Sequence, residues 1–268
     1  MNKKIISSII MFLILVFVFS IGGAIYNTFI YILSLLAMNE FISVKESKKD
    51  VPLLIRTICF ISISFLTFSN ISGDSLILSI DYRILSGIFL LFLIPSIIYH
   101  DRSLYSINDA FYLIGGVLFL GISYSLMIVI HNMDYNMLIY LILIATMTDM
   151  YSFITGNLIG RRKLLADISP CKTIEGMIGG IIFGTFVPVV FYLTVINTSF
   201  DVVIIGFITL FLSVLASIGD LCFSAIKRYF NKKDFSQLIP GHGGILDRFD
   251  SIIFVLLGFM FFVNIIGG

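Results

Sequence analysis

Two acidic residues in the last fifth of the chain lie among basic residues and glycines, although the sequence around them is strongly apolar. Asp220 lies inside a long apolar segment, and helical spacing places Ser224, Lys227 and Arg228 on its face. Asp247 follows the turn P-G-H-G-G. A carboxylate within a membrane span is costly unless it is paired or faces water, so Asp220 indicates function. The alternative is that Asp220 has a structural role only, in which Lys227 neutralises its charge.

Carboxylates beside converging lysines and arginines are suited to binding magnesium and phosphate together. Mg²⁺ prefers one or two protein carboxylates and takes its other ligands from water and substrate phosphates. Lysine and arginine then neutralise the remaining phosphate charge. We predict that Asp220 and Asp247 hold Mg²⁺, with a second ion such as K⁺ left open. We expect His242 to hydrogen-bond a phosphate or an aspartate rather than to bind metal.

The glycine turn before the last apolar run has two interpretations. Gly243 and Gly244 permit positive φ, and successive free N–H groups in such a turn form an anion-binding concavity. A plain turn before a helix would suit the glycines equally well. A plain turn, however, has no need of Asp247, Arg248 and Asp250 together at a membrane surface. The P-loop pattern G-x-x-x-x-G-K-[ST] is absent.

A second polar segment, 158–173, contains the run S-P-C-K-T. Ser169 and Pro170 break regular structure, and Thr173 and Glu175 are suited to capping and starting the next helix. The charge of Lys172 opposes the dipole of that helix, and a bound anion would resolve the conflict. Glycines then recur every fourth residue at 176, 180 and 184, as in tightly packed membrane helices.

The elements that carry these residues are predicted to be membrane helices. Of the 268 residues 59% are hydrophobic and 12% charged, against about 25% charged in soluble domains. Uninterrupted apolar runs indicate helices rather than barrel strands, hence an all-α, polytopic membrane protein. Three cysteines without a C-x-x-C pair indicate neither a disulfide nor a zinc site. We predict nine spans, at 5–23, 25–43, 52–69, 76–99, 109–130, 136–157, 174–196, 201–226 and 251–267.

Lysines and arginines fall mainly on alternate loops, which indicates a cytoplasmic N-terminus. The segments 158–173 and 227–250 then meet at one cytoplasmic mouth. We expect one membrane domain, 1–268, with N-terminal helices in 1–135 and catalytic helices and loops in 136–268. Asp149, inside the sixth span, is either structural or a supporting group.

The stretch S-x-I-K-R-x4-K-D-x-S-x-x-I-P-G-H-G-G-I-x-D-R-F-D, residues 224–250, resembles the signature of the phosphatidate cytidylyltransferases (CDP-diacylglycerol synthases). The upstream S-P-x-K-T-x-E-G, residues 169–176, and G-D-L, residues 219–221, are also similar to that family. One departure is D-M-Y-S-F at 149–153, where the family commonly has an Asp-Thr-x-Ala-Tyr-like run. This departure leaves open the lipid preference and the role of Asp149.

The resemblance implies transfer of CMP from CTP to phosphatidic acid, with release of pyrophosphate. It implies Mg²⁺, a homodimer in the cell membrane, a site facing the cytoplasm, and no nucleic-acid partner. The predicted catalytic residues are Asp220, Asp247, Lys227 and Arg248. The predicted substrate contacts are Ser169, Lys172, Thr173, Glu175, Ser224, Arg228, Lys233, Asp234, His242, Gly243, Gly244 and Asp250.

Three other functions are alternatives to this one. A CTP-dependent kinase of a polyprenol or phytol-type lipid would share much of the site but transfer the γ-phosphoryl group. A cytidylyltransferase for an archaeal-type ether lipid would perform the same reaction. A secondary transporter is disfavoured because the charges lie at one face and no internal repeat is visible.

Overall fold

The computed structural model describes residues 17–19, 21–68, 82–99, 104–238, 241 and 243–266. Most of the predicted first span and His242 lie outside this part of the chain. The helices are α1 (Gly23–Glu46), α2 (Leu53–Phe68), α3 (Tyr82–Ile98), α4 (Ile107–Met133), α5 (Tyr135–Ile159), α6 (Ile174–Phe191), α7 (Val202–Tyr229), α8 (Leu246–Phe259) and α9 (Val263–Ile266). A π-helical turn, Tyr192–Ile196, extends α6.

Five of the described helices are long and apolar enough to cross a membrane: α1, α4, α5, α7, and α6 with its π-helical extension. The shorter helices α2 and α3 are apolar as well. The expectation of a helical membrane protein is therefore confirmed. Helices occupy the predicted second to ninth spans, whereas nine crossings and a cytoplasmic N-terminus stay predictions.

A small β-ribbon interrupts the helices. The strands β1 (Lys163–Leu165) and β2 (Ser169–Thr173) pair antiparallel, with Lys163 opposite Thr173 and Leu165 opposite Ser169. The prediction that Ser169 and Pro170 break regular structure is wrong, because both belong to β2. Proline is tolerated in an edge strand, where its missing N–H need not face a partner.

The chain forms two compact units. The N-terminal unit comprises Met1–Met133 and Asp234–Asp247, and the C-terminal unit comprises Asp134–Lys233 and Arg248–Gly268. In the N-terminal unit α4 packs against α1, α2 and α3; in the C-terminal unit α5, α6 and α7 pack against one another. A single membrane domain stays a prediction.

Side-chain caps fix the starts of the three long helices of the C-terminal unit. Asp134 accepts a hydrogen bond from the N–H of Asn136 at the start of α5, and Asp201 accepts one from Val203 at the start of α7. Thr173 Oγ1 accepts from the N–H of Gly176 at 3.1 Å, as the sequence predicts for α6. Each cap satisfies a backbone donor that has no partner within the helix.

The glycine stripe of α6 lies against α5. A Cβ at Gly180 would lie 2.6 Å from the backbone oxygen of Thr148 and even closer to the Ser152 hydroxyl. Gly176 and Gly184 are buried as well. Close packing of a small-residue face is therefore confirmed.

We expect Gly180→Ala to destabilise the protein by about 1–3 kcal/mol, the range for overpacked cores. The added methyl would meet backbone, which cannot move aside as a flexible side chain can. Thermal unfolding in detergent measures the effect. Gly206→Ala on α7 is the matched control, since a Cβ there meets nothing within 4 Å. Equal melting temperatures for the two variants would contradict the packing argument.

Candidate active site

A cavity of about 350 Å³ in the C-terminal unit brings the polar residues of several elements together. Its walls come from α5, the β-ribbon, α6 and α7. Phe153, Leu164 and Met177 form apolar parts of the lining. The cavity therefore presents both charge and hydrocarbon to a ligand. Its polar and charged lining includes Asp149, Ser152, Asn157, Lys172, Ser217 and Asp220.

The central contact is an ion pair between β2 and α7. Lys172 Nζ lies 2.5 Å from Asp220 Oδ2, and each side chain is 27% exposed. The sequence suggested a bound anion as the partner of Lys172, and Lys227 as a possible partner of Asp220. In the structure the chain's own Asp220 supplies a negative charge to Lys172, and binding of an anion by Lys172 stays a prediction. Ser224 Oγ donates to Asp220 Oδ1 at 3.5 Å, which confirms their shared helix face.

Negative charge accumulates around this pair. Asp149 and Asp250 lie within electrostatic range of Asp220 and of each other, and Lys227 interacts with Asp250. Asp250 is only 8% exposed and Lys227 only 9%. With Lys172, the group therefore contains three carboxylates and two ammonium groups. Carboxylates held together away from water are neutralised either by protonation or by neighbouring positive charge, so a cation bound here would relieve part of their repulsion.

Within the described residues, no three His, Cys, Asp or Glu side chains are arranged to hold one metal ion. An ion at this site would therefore take one or two carboxylates and find its remaining ligands elsewhere. Mg²⁺ uses this arrangement when it binds substrate phosphates. Asp220 with a neighbouring carboxylate could supply the protein ligands of such an ion.

Two predicted substrate contacts support the site in another way. Thr173 lines the cavity, but its hydroxyl also caps α6. Glu175 Oε2 accepts hydrogen bonds from the backbone N–H groups of Arg161 and Arg162 at 3.0 and 3.1 Å. Glu175 therefore fixes the segment between α5 and β1.

Arg228 connects two of the segments that the sequence places at one mouth. Its Nε donates to the backbone oxygen of Ile168 at 3.1 Å, and another guanidinium nitrogen donates to Lys232 O at 3.0 Å. The end of α7 and the turn of the β-ribbon therefore meet, which confirms that expectation for residues 227–233. Lys233 and Arg248 are exposed on the same unit, and Ser169 in β2 is half-buried.

The glycine turn belongs to the N-terminal unit. Gly241 and Gly243 have positive φ, 80° and 84°, as a tight turn requires. Asp247 Oδ2 accepts hydrogen bonds from the N–H groups of Phe235 at 3.0 Å and Gly244 at 2.9 Å. Asp234, next to Phe235, is half-buried. Asp247 therefore shapes the turn, apart from any role in metal binding.

Glu40 is the functional candidate that our sequence analysis missed. It lies in α1, is 3% exposed, and its carboxylate accepts from the N–H groups of Ile245 at 2.8 Å and Leu246 at 2.9 Å. The expected concavity of free N–H groups is therefore wrong at 244–246, because Asp247 and Glu40 already bind these donors. Glu40 is the one acidic residue of the predicted span 25–43, and that position was a usable signal.

Ser152, Asn157 and Ser217 were also missed. Ser152 follows Asp149 by one helical turn, and Ser217 precedes Asp220 by one turn. A small polar residue one turn from a carboxylate shares its helix face. That spacing could have identified both serines as cavity residues.

Comparisons with known proteins give a consistent result. A sequence model of the Cytidylyltransferase family matches residues 2–266. A protein of Staphylococcus haemolyticus (strain JCSC1435) named phosphatidate cytidylyltransferase is 32% identical over 257 residues, 96% of each chain. Proteins of the same name from Staphylococcus saprophyticus and from Staphylococcus aureus (strain COL) are 31% and 32% identical, again over 96% of each chain.

Proposed function

Because the chain belongs to the cytidylyltransferase family, we propose that it is a phosphatidate cytidylyltransferase. It uses CTP and phosphatidic acid to make CDP-diacylglycerol and pyrophosphate, a reaction of phospholipid biosynthesis. The observation that carries the proposal is the Lys172–Asp220 pair in a cavity shared with Asp149. Phosphate-binding charge and apolar wall lie side by side there, as an enzyme joining a nucleotide to a lipid requires.

The chemistry requires no nucleophile from the protein. An oxygen of the lipid phosphate, already anionic at pH 7, forms a bond to the α-phosphorus of CTP. The bond from that phosphorus to the bridging oxygen breaks, and pyrophosphate leaves with the electron pair. Transfers of this kind depend mainly on positioning and on electrostatic stabilisation. The protein therefore has to bring two anionic substrates together and neutralise their charge.

We assign this neutralisation to the basic residues around the cavity. Lys172, beside Asp220, would contact a phosphate that shares a metal ion with that carboxylate. Lys227 is nearly buried near Asp250. The exposed Arg228, Lys233 and Arg248 would attract CTP from solution. Arg228 also holds the ribbon that carries Lys172.

Asp220 would hold Mg²⁺, which shields charge on the attacking and leaving oxygens. The assignment of Asp247 as a further ligand depends on the motif D-R-F-D alone. A second ion such as K⁺ is compatible with the excess of carboxylates at Asp149 and Asp250. Ser169, Ser224, Asp234, His242 and the turn glycines stay proposed substrate contacts.

The alternating basic loops favour a site on the cytoplasmic side of the cell membrane. A soluble nucleotide would reach it there, while the lipid would arrive through the bilayer. We also propose a homodimer. Crosslinking in native membranes, and again after dilution into detergent with excess lipid, tests that part independently. A dimer band that persists on dilution would support the homodimer, and a band that is lost would indicate random encounter.

Purified protein with Mg²⁺, phosphatidic acid and CTP labelled at the α- or γ-phosphate tests the reaction. We expect lipid to take up label from α-labelled CTP alone, because the CMP part is transferred. Label from the γ position appearing in a lipid alcohol would instead show a kinase. A folded protein that labels phosphatidic acid from neither position would refute this substrate, and an ether-lipid acceptor would then be assayed.

A further inference from the structure

We infer that Glu40 is a positioning residue that holds the glycine turn, residues 243–247, in the shape that binds CTP. This inference rests on the proposed function, because it assumes that the turn serves the nucleotide. Glu40 lies in α1, far in sequence from the motif residues. Glu40 touches the turn and not the substrate.

Glu40 accepts three hydrogen bonds, two of them from backbone N–H groups of the turn. Oε1 accepts from the N–H of Ile245 at 2.8 Å and from Ser236 Oγ at 2.6 Å, and Oε2 accepts from the N–H of Leu246 at 2.9 Å. A buried carboxylate is costly unless it is fully hydrogen-bonded. The start of α8 offsets that cost, since a helix N-terminus presents unpaired N–H groups and positive potential.

Gly244 shows how closely the turn fits the carboxylate. A Cβ at this position would lie 2.6 Å from Glu40 Oε2 and 2.7 Å from Oε1. A larger residue here would have to displace the buried Glu40 carboxylate, because the backbone approaches Glu40 directly. The N–H of Gly244 donates to Asp247, so the two carboxylates hold adjacent peptide groups of one turn.

Consequently Glu40 determines where Asp247 lies. Asp247 and Glu40 already accept hydrogen bonds from the N–H groups of residues 244–246. A substrate would therefore contact side chains of the turn rather than these N–H groups. A displaced Glu40 would release Ile245 and Leu246 and loosen the peptide that Asp247 binds. CTP binding should suffer, whereas binding of phosphatidic acid should not.

Glu40→Gln tests the inference. The amide retains one acceptor oxygen but directs an NH₂ group at a backbone N–H. We expect the KM for CTP to rise about 10- to 100-fold, the loss typical of a hydrogen bond to a charged group. The KM for phosphatidic acid should change less than twofold. Ser236→Ala, which removes one of the three donors, should raise the KM for CTP by a smaller factor.

Glu46→Gln is the matched control, since Glu46 lies on the same helix and pairs with Arg56 at 3.4 Å. The same charge change there should leave both KM values unaltered. An unaltered KM for CTP in folded Glu40→Gln would overturn the inference, as would an equal rise of both KM values.

A double-mutant cycle distinguishes contact with the turn from a general effect on stability. Gly244→Ala alone forces its methyl group into the carboxylate, whereas in a Glu40→Ala background the space is open. The double variant should therefore bind CTP no more weakly than whichever of Gly244→Ala and Glu40→Ala has the lower affinity for CTP. Additive losses would show that Glu40 acts elsewhere.

Protection of the protein by CTP against thermal unfolding separates this inference from the proposed function. If wild type transfers no label to phosphatidic acid, the proposed reaction fails. The inference still stands in that case if CTP protects wild type and Glu46→Gln but not Glu40→Gln. Equal protection of all three would refute it.

Discussion

Asp220→Asn is expected to eliminate turnover while the protein stays folded. The substitution keeps the size of a side chain that is 27% exposed, so packing is preserved. It removes the charge that pairs with Lys172 and that would bind the metal. Loss of a supporting partner of a metal ligand costs about 10- to 100-fold, and loss of a ligand itself should cost more. The α-label assay over a range of Mg²⁺ concentrations measures it.

The matched control is Asp167→Asn, on the exposed turn of the β-ribbon in the same unit. It makes the same charge change away from the cavity and should retain wild-type turnover. If Asp220→Asn keeps more than a tenth of the activity, Asp220 is not the central metal ligand. Activity recovered at high Mg²⁺ would instead support the assignment, because it shows weakened ion affinity.

Asp247→Asn is expected to have an effect nearly as large for a different reason. The asparagine oxygen can still accept from the N–H groups of Phe235 and Gly244. The turn should keep its shape and its melting temperature, while the negative charge is lost. We therefore expect turnover to fall by more than about 100-fold, measured beside thermal unfolding of the same samples.

Asp247→Ala is the informative comparison, because it removes charge and acceptors together. It should lose activity and also unfold at a lower temperature. Asp50→Asn, an exposed aspartate of the same unit, controls for charge alone. Normal turnover in Asp247→Asn would show that Asp247 is a structural residue of the turn and would remove it from the metal site.

Features that depend on local spacing could be predicted from the sequence. The positions of the helices follow from apolar runs, the cap at Thr173 from residue type, and the close packing at Gly180 from a four-residue repeat. The meeting of Arg228 with the segment 158–173 followed from the two predicted spans, 174–196 and 201–226, that lie between them in sequence. In each case the information lies within one or two helices.

Features that depend on the return of a distant segment could not be predicted. Several basic residues could have neutralised Asp220, and in the structure it is Lys172 of β2 that pairs with it. The ribbon was missed because strands of three and five residues, one with a proline, have little periodicity. The backbone partners of Glu40, Ile245 and Leu246, lie 205 and 206 positions later in the chain.

That separation has a consequence for how the protein is made. At about 5–20 residues per second, Ile245 is added to the chain on the order of 10–40 s after Glu40, because 205 positions separate them. During this interval the acidic side chain of α1 lacks its final donors. Protonation of Glu40, or transient contact with other polar groups, would lower the free-energy cost of an apolar environment for its carboxylate during this time. Only when nearly the whole chain has been translated can Glu40 receive the donors of Ile245 and Leu246.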